Sequence, residues 1–425
     1  MSSTERLLVN YWYLAPVGHA LEGMRYALGY KSANPDLSVS LLLNGGTAVE
    51  LARLCPFIEN VYAVPYTGVA FVESSELEAV DGAAGRVRRG VTRLRNHLRW
   101  RRYVQRADPL QALAGVPREW DWLVEDGRIR DPRQNFPSFL AFYEAAHAYF
   151  EPAHPVGVAG AAPPAYEPNQ QLRLELPADA RAAAAATIGE SRRAISVVLA
   201  GSSADRHLYP SNTSWKLILR ALSDRYPDAA ILLIGKTTRD GRTLSRVAHG
   251  EVEALLEAVP AAVDCFNRPL LEQVALVEGS DLLVSPHTGF SFVASTVGTP
   301  WLAISGGNWH EYFFNGEPFY SLLPDPDRYP AFAWGGPPLG DRPLEVIPAD
   351  EDGEGPRTPS MSIGRIREDL PELLHASELL IERRLSYEDA LAGYFPRLLA
   401  TYGGDRARAF SFDNVGERYL PGPRN

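Results

Sequence analysis

Val284-Ser285-Pro286-His287-Thr288-Gly289-Phe290-Ser291-Phe292-Val293-Ala294-Ser295-Thr296-Val297-Gly298-Thr299-Pro300 decides the fold. An apolar run, Asp281 to Ser285, enters a His-Thr-Gly turn, a helical stretch follows, and Val297-Gly298-Thr299-Pro300 ends that stretch before a second apolar run, Trp301 to Ser305. Gly and Pro in that order close a helix and reopen a strand. The alternation of short buried strand, turn, helix and strand is that of a parallel α/β sheet. The first turn of such a helix carries unpaired N–H groups and a partial positive charge, so the turn is a candidate anion cradle. His287 and Thr288 would add side-chain donors, and Gly289 would let the backbone approach a ligand. A turn of this kind also occurs in parallel sheets for close packing alone.

The same arrangement opens the chain. Arg6 to Tyr13 reads as a buried strand, followed by Leu14-Ala15-Pro16-Val17-Gly18-His19-Ala20-Leu21-Glu22 and a helix. Ligands of open parallel sheets lie outside the carboxyl ends of the strands, which puts Gly18 and His19 at a crevice. A histidine there either acts as a general base near neutral pH or caps the helix. Glu22, one turn on, is the second candidate base or the group that orients the imidazole.

With both turns in view, the chain resembles the GT-B glycosyltransferases, and most closely the bacterial heptosyltransferases (glycosyltransferase family 9). Gly18-His19, a helix, Asn34-Pro35-Asp36 and the strand Leu37 to Leu43 repeat the layout of that family's N-terminus. Leu54-Cys55-Pro56-Phe57-Ile58-Glu59-Asn60-Val61 is similar to its approach to strand three, and Pro286-His287-Thr288-Gly289 to its Asp-Thr-Gly turn at the donor diphosphate. The two acidic residues of the family pattern are His19 and His287 here, as in the small-molecule GT-B enzymes. The resemblance covers most of residues 6 to 65 and 190 to 310. It implies a fold of two Rossmann-like, doubly wound parallel-sheet domains facing a cleft, His19 as base and His287 as a phosphate contact. It also implies a nucleotide-sugar donor, a small-molecule or glycan acceptor and an inverting, metal-independent transfer without cofactor.

The domains would be 1-150 for the acceptor, a Pro, Ala and Gly linker at 151-176, 177-385 for the donor, and a C-terminal helix and tail, 386-425, crossing back to the first domain. Gly201 and Ser202 follow the second domain's first strand, Ile195 to Ala200, with Arg206 and Lys216 near enough to supply positive charge. Gly235 and Lys236 follow the next strand, where the family contacts the nucleoside. They do not make a P-loop, because the spacing is absent. Asn308 belongs to a polar and aromatic segment, 306 to 312, suited to a sugar. Residues 346 to 360 read as an exposed acidic insertion without core. Asp325-Pro326-Asp327 reads as a turn rather than a metal site.

Composition narrows the class. A chain of 425 residues with 45% hydrophobic and 22% charged residues suits two globular domains. A net charge of −10 argues against nucleic acid as the main partner. Two cysteines, Cys55 and Cys265, make neither a disulfide framework nor a cysteine zinc site. No apolar run of membrane-spanning length and no signal-peptide pattern occur, so a cytoplasmic location is expected. Richness in Ala and Arg points to a bacterial source, with glycan or secondary-metabolite biosynthesis as the setting. One local exception stands out: nine arginines and no carboxylate between Arg86 and Arg106. Val87, Val91, Leu94 and Leu98 recur there at helical spacing, so Arg95 and Arg99 are candidates to meet an anionic acceptor or a membrane surface, or else form a solvated face. A nucleotide-sugar epimerase of the same fold and a non-catalytic sugar-nucleotide-binding protein are the alternative functions.

Overall fold

The computed structural model describes residues 4–12, 16–64, 91, 113–125, 146–154, 164–167, 170–202, 206–238, 244–304, 316–323 and 346–405. They form two sheets whose strands all run parallel. The first contains β1 (Arg6–Tyr11), β2 (Ser38–Asn44), β3 (Ile58–Val64), β4 (Glu119–Glu125) and β5 (Glu151–His154), in the order β3-β2-β1-β4-β5. The second contains β6 (Arg193–Val198), β7 (Ala229–Ile234), β8 (Ala262–Asp264), β9 (Leu282–Pro286), β10 (Trp301–Ile304) and β11 (Phe319–Leu322), in the order β11-β10-β9-β6-β7-β8. Each order reverses once, between β1 and β4 in one sheet and between β6 and β9 in the other, as in doubly wound Rossmann sheets. The expected fold is therefore the observed one.

Burial explains why the central strands read so clearly. Every residue of β7 (AAILLI) and β9 (LLVSP) is buried, and β1 is buried after Arg6. Parallel strands covered by helices on both faces need continuous apolar runs rather than alternation. The covering helices are α1 (Val17–Ala33), α2 (Val49–Ala52), α3 (Ala178–Ile188), α4 (Asn212–Arg225), α5 (His249–Ala258), α6 (Leu270–Glu278), α7 (Val293–Val297), α8 (Ile363–Ile381) and α9 (Tyr387–Thr401). Gly298, at φ +81°, ends α7 in the left-handed conformation, as the Gly-Thr-Pro pattern requires.

Three expectations need correction. The segment 151-176 is not a linker throughout, since Glu151–His154 is the edge strand β5 paired with β4. Further along, Tyr166 packs on Tyr26 and Tyr30 of α1 with ring centroids 5.4 and 5.0 Å apart. Leu172, Leu174 and Leu176 are buried in alternation with Gln171, Arg173 and Glu175. Leu174 N–H donates to Thr296 O at 2.9 Å and Glu175 N–H to Leu54 O at 3.5 Å, so this strap is seated on both domains. Pro and Ala in its first half hid a second half with strand periodicity.

The second correction concerns 346 to 360, which is not a coreless insertion. Ile347 and Arg357 form an antiparallel bridge, and Arg357 to Ser360 are buried. Its carboxylates satisfy helix ends: Asp350 Oδ2 accepts from Ile363 N–H at 2.8 Å, at the start of α8. The third concerns helix length after the His-Thr-Gly turn, where a 3-10 turn, Gly289–Phe292, precedes a five-residue α7. The helix dipole there is correspondingly small.

α9 packs on β11 of the second sheet, the Tyr394 ring 5.6 Å from that of Phe319, and the Arg25 guanidinium of α1 pulls against the burial that pushes the Tyr387 phenol up. Among the described residues, no helix is long and apolar enough to cross a membrane.

Burial also fixes the cysteines. It pushes the Cys55 thiol up to about 12 and the Cys265 thiol up to about 11. At pH 8 the folded chain should therefore give no reaction with a thiol reagent over an hour, and both thiols should react once guanidinium unfolds it. Rapid labelling of either in the native protein would contradict this packing. The sign for stability follows: the unfolded chain releases these protons near pH 9 and the folded chain does not, so stability falls as pH rises above that value.

Candidate active site

The two turns singled out in the sequence touch. A Cβ placed on Gly18 would lie 2.7 Å from Gly289 Cα and 2.9 Å from Gly289 O. One placed on Gly289 would lie 3.2 Å from Gly18 N. The carboxyl edges of the two sheets therefore face each other, and the first turn of α1 lies against the turn after β9. Gly289 was expected to admit a ligand to the backbone. In this arrangement the backbone it admits is that of the other domain.

His19 stands beside this contact, in the first turn of α1, with its side chain 26% exposed. Its Nδ1 lies 3.3 Å from Glu22 Oε2, and the same oxygen accepts from the Tyr11 hydroxyl at 2.8 Å. A carboxylate oxygen only accepts, so this pairing assigns the Nδ1 proton to His19 and leaves Nε2 as its basic nitrogen. Glu22 is nearly buried and sits at the i+3 position, which turns its carboxylate onto the imidazole. Glu22 is thus within reach of the imidazole. Tyr11, the last residue of β1, is the member the sequence did not disclose, because a buried tyrosine at a strand end reads as core.

The second turn is stiffened from within. Trp301 Nε1 donates to Ser285 Oγ at 2.8 Å, Ser285 Oγ lies 2.7 Å from Ser291 Oγ, and Ser291 Oγ lies 2.8 Å from Thr288 Oγ1. Thr288 Oγ1 also caps the following turn by accepting from Ser291 N–H at 3.3 Å. His287 is 5% exposed, its ring 5.9 Å from that of Trp301. It is therefore packed inside the turn rather than held out at an open face. Thr288 is buried as well.

Of the other candidates, Gly201 joins this centre. A Cβ on it would meet Tyr209 Oη at 2.8 Å and the Thr288 side chain at 3.2 Å, so the turns after β6 and β9 abut at the second sheet's switch point. Ser202 follows, and its carbonyl takes Arg246 Nε at 3.4 Å. Arg206 is in a 3-10 turn, Arg206–Leu208, and pairs with Glu251 of α5. Lys216 is half-buried on α4. Gly235 and Lys236 end β7 as expected, but the turn is already occupied: a Cβ on Gly235 would lie 2.4 Å from the Phe266 ring, and Ser245 brackets Lys236 through its backbone N–H and carbonyl. Asn308, Arg95 and Arg99 lie outside the described residues, as do Asp325 to Asp327 and all of the basic segment except Val91.

An open cleft of about 890 Å³ lies between the domains, lined by Thr47 and Arg53 from one and by Asp179, Pro269 and Glu272 from the other. Ligand pockets run roughly 300–1,000 Å³. Thr47 Oγ1 donates to Pro16 O at 3.2 Å, which ties the cleft's rim to the turn that leads into His19. Its described walls carry Glu50, Asp179 and Glu272 against the single Arg53, so they are acidic. Among the described residues no group of His, Cys, Asp or Glu could hold a metal ion.

The chain is similar in structure to heptosyltransferases. The glycosyltransferase family 9 protein of Veillonella parvula is 12% identical, with a TM-score of 0.46 over 87% of this chain and 97% of that one. The ADP-heptose lipopolysaccharide heptosyltransferase II of E. coli is 13% identical, with a TM-score of 0.40 over 88% and 99%. The UDP-GlcNAc 2-epimerase of Neisseria meningitidis is 10% identical, with a TM-score of 0.38 over 94% and 100%. No protein-family model and no curated protein matches the chain. The likeness spans transferases and an epimerase and so distinguishes no activity.

The glycine contact makes a test. Alanine at Gly18 would favour an isolated helix by a few tenths of a kcal/mol or more, yet here its methyl meets backbone below 3.0 Å. Gly18→Ala should cost about 1–3 kcal/mol, the range for overpacking, and Gly289→Ala less. Thermal denaturation of the two variants checks the order; a stabilised Gly18→Ala protein would mean the turns do not touch.

Proposed function

We propose that the protein is a nucleotide-sugar-dependent glycosyltransferase in which His19 is the general base. The observation that carries this reading is the Tyr11–Glu22–His19 series beside the contact of the two turns. A buried carboxylate holding Nδ1–H fixes the tautomer and stabilises the imidazolium that forms on proton uptake. Nε2 removes the proton from an acceptor hydroxyl as its oxygen attacks the anomeric carbon. The bond from that carbon to the diphosphate oxygen breaks, and the diphosphate leaves with the electron pair. Attack from the face opposite the leaving group inverts the anomeric centre.

The leaving group meets the second domain. Backbone N–H groups of the turn at Thr288 and Gly289, and the positive charge of Arg206 and Lys216, are proposed to stabilise the negative charge that develops on it, without a metal. The cleft lined by Thr47 and Asp179 is proposed for the acceptor, a neutral or amine-bearing hydroxyl compound being better suited to its acidic walls than an anion. A cytoplasmic setting and a bacterial source complete the proposal.

Donor turnover with water as acceptor gives a test that needs no knowledge of the natural acceptor. Release of nucleoside diphosphate is followed over a panel of nucleotide sugars, with donor affinity measured by calorimetry on the same samples. His19→Ala should lower turnover about 10²–10⁴-fold, the usual worth of a general base, while donor affinity stays within about threefold. Glu22→Gln, which keeps size and loses charge, should lower turnover by a smaller factor and shift the pH profile. Unchanged turnover in His19→Ala would defeat the reading. Conversion of a nucleotide sugar to its isomer with no acceptor present would replace it with the epimerase.

A further inference from the structure

The hydroxyls behind the His-Thr-Gly turn form a series whose direction is set at one end. Trp301 Nε1–H only donates, and it donates to Ser285 Oγ at 2.8 Å. Ser285 is fully buried, and among the described residues the acceptor in reach of its proton is Ser291 Oγ, 2.7 Å away. The Ser285 proton therefore points at Ser291. The reverse assignment would leave a buried hydroxyl proton unbonded, which is costly.

Beyond Ser291 the series branches. Ser291 Oγ lies 2.8 Å from Thr288 Oγ1 and 3.2 Å from Pro286 O, and Ser291 N–H donates to Thr288 Oγ1 at 3.3 Å. Two proton arrangements fit these distances. In the first, Ser291 donates to the Pro286 carbonyl and Thr288 donates to Ser291, so every hydroxyl proton has an acceptor within the turn. In the second, Ser291 donates to Thr288, whose two lone pairs are then filled by the Ser291 hydroxyl and N–H, and the Thr288 proton goes to an acceptor outside the series. Thr288 is 4% exposed, so bulk water is a poor acceptor for that proton. It sits beside Gly201 at the second sheet's switch point, where ligands of open parallel sheets bind.

We propose that Trp301, Ser285 and Ser291 are positioning residues that make the Thr288 hydroxyl a switchable hydrogen-bond donor for an oxygen of a diphosphate group. The inference deepens the proposed function and rests on it, since the diphosphate is that of the nucleotide sugar. With the site empty, the Thr288 proton is held by Ser291. An anionic oxygen draws that proton away, and Ser291 turns its own from Pro286 O to Thr288 Oγ1. The protein gives up a bond to a neutral carbonyl and gains a charge-assisted one to the ligand. Hydroxyls rotate, and no O–H bond breaks. Trp301 sets the direction, because its N–H fills a lone pair of Ser285 and leaves that hydroxyl to donate onward. Every dipole from the indole to Thr288 then points toward the anion, and each strengthens the next. Trp301 thus acts on the leaving group from β10 without touching it.

Calorimetric titration of the full chain with inorganic pyrophosphate, and separately with ADP, GDP, UDP, CDP and dTDP, tests this on the wild type, Thr288→Ser, Thr288→Val, Trp301→Phe and the Trp301→Phe/Thr288→Val double variant. Each is checked for an unchanged melting profile, and Thr288→Ala replaces Thr288→Val if the latter melts early. Thr288→Val removes the hydroxyl at constant shape and should weaken pyrophosphate about tenfold or more. Thr288→Ser keeps the hydroxyl and should bind like the wild type. Trp301→Phe keeps an aromatic ring beside His287, loses the N–H, and should weaken pyrophosphate about threefold. The double variant separates a relay from a packing effect: acting through the Thr288 hydroxyl, Trp301→Phe should add nothing to Thr288→Val, whereas independent effects multiply. Multiplied factors, or a Trp301→Phe protein that binds like the wild type, would overturn the relay. If nucleoside diphosphates bind every variant as well as the wild type, the relay falls and the nucleotide-sugar reading stands. If pyrophosphate shows the expected pattern while no nucleoside diphosphate binds, the relay stands and the nucleotide-sugar reading falls. Failure of all these ligands to bind the wild type overturns both.

Discussion

The close approach of Gly18 to Gly289 is the constraint on which the rest of the site depends. Each turn ends a buried parallel strand and begins a helix, so each already points its backbone donors outward from its own sheet. With no side chain on either glycine, the two turns meet at backbone distance, and His19 is delivered to the junction rather than to the surface of one domain. Any Cβ at Gly18 would push the start of α1, and His19 with it, away from the turn after β9. The strap through Leu172, Leu174 and Leu176, bonded to Thr296 on one side and Leu54 on the other, holds the domains in this relation as well.

Electrostatics at the site divide between the two domains. The first supplies the proposed proton acceptor, His19, whose Nδ1 faces the Glu22 carboxylate that also accepts from Tyr11. The second supplies donors, but most of them are already engaged: Thr288 with Ser291, Arg206 with Glu251, and the start of α4 with Glu354. A helix start that is fully satisfied by the chain's own carboxylate costs little to leave alone, and a ligand gains from it only by offering more acceptor oxygens or more charge.

The readability of the sequence followed burial. β1, β2, β6, β7, β9 and β10 were legible because strands covered on both faces are continuous apolar runs, and the turns behind them carry Gly and Pro at fixed places. β4, Glu-Trp-Asp-Trp-Leu-Val-Glu, was not read although it lies next to β1, because its acidic residues alternate with its aromatic ones and dilute the apolar signal. β5 and β11, at four residues each, are too short for periodicity to register. At the site, His19 and Glu22 were legible from their spacing on one helix. Tyr11 and the serines behind Thr288 were not, since their roles depend on contacts between strands that no spacing reveals. Glu354 was misread for a physical reason: an acidic Gly-rich segment looks solvated unless the helix end that binds it is known, and that helix lies 142 residues away.

The central claim is that two turns from different domains form one ligand site. Hydrogen–deuterium exchange, followed by mass spectrometry with and without the tightest-binding nucleoside diphosphate, tests it most directly. The account predicts that one ligand slows exchange together in peptides covering 16–22 and 287–293. Slowing confined to the second domain, with 16–22 unaffected, would contradict it.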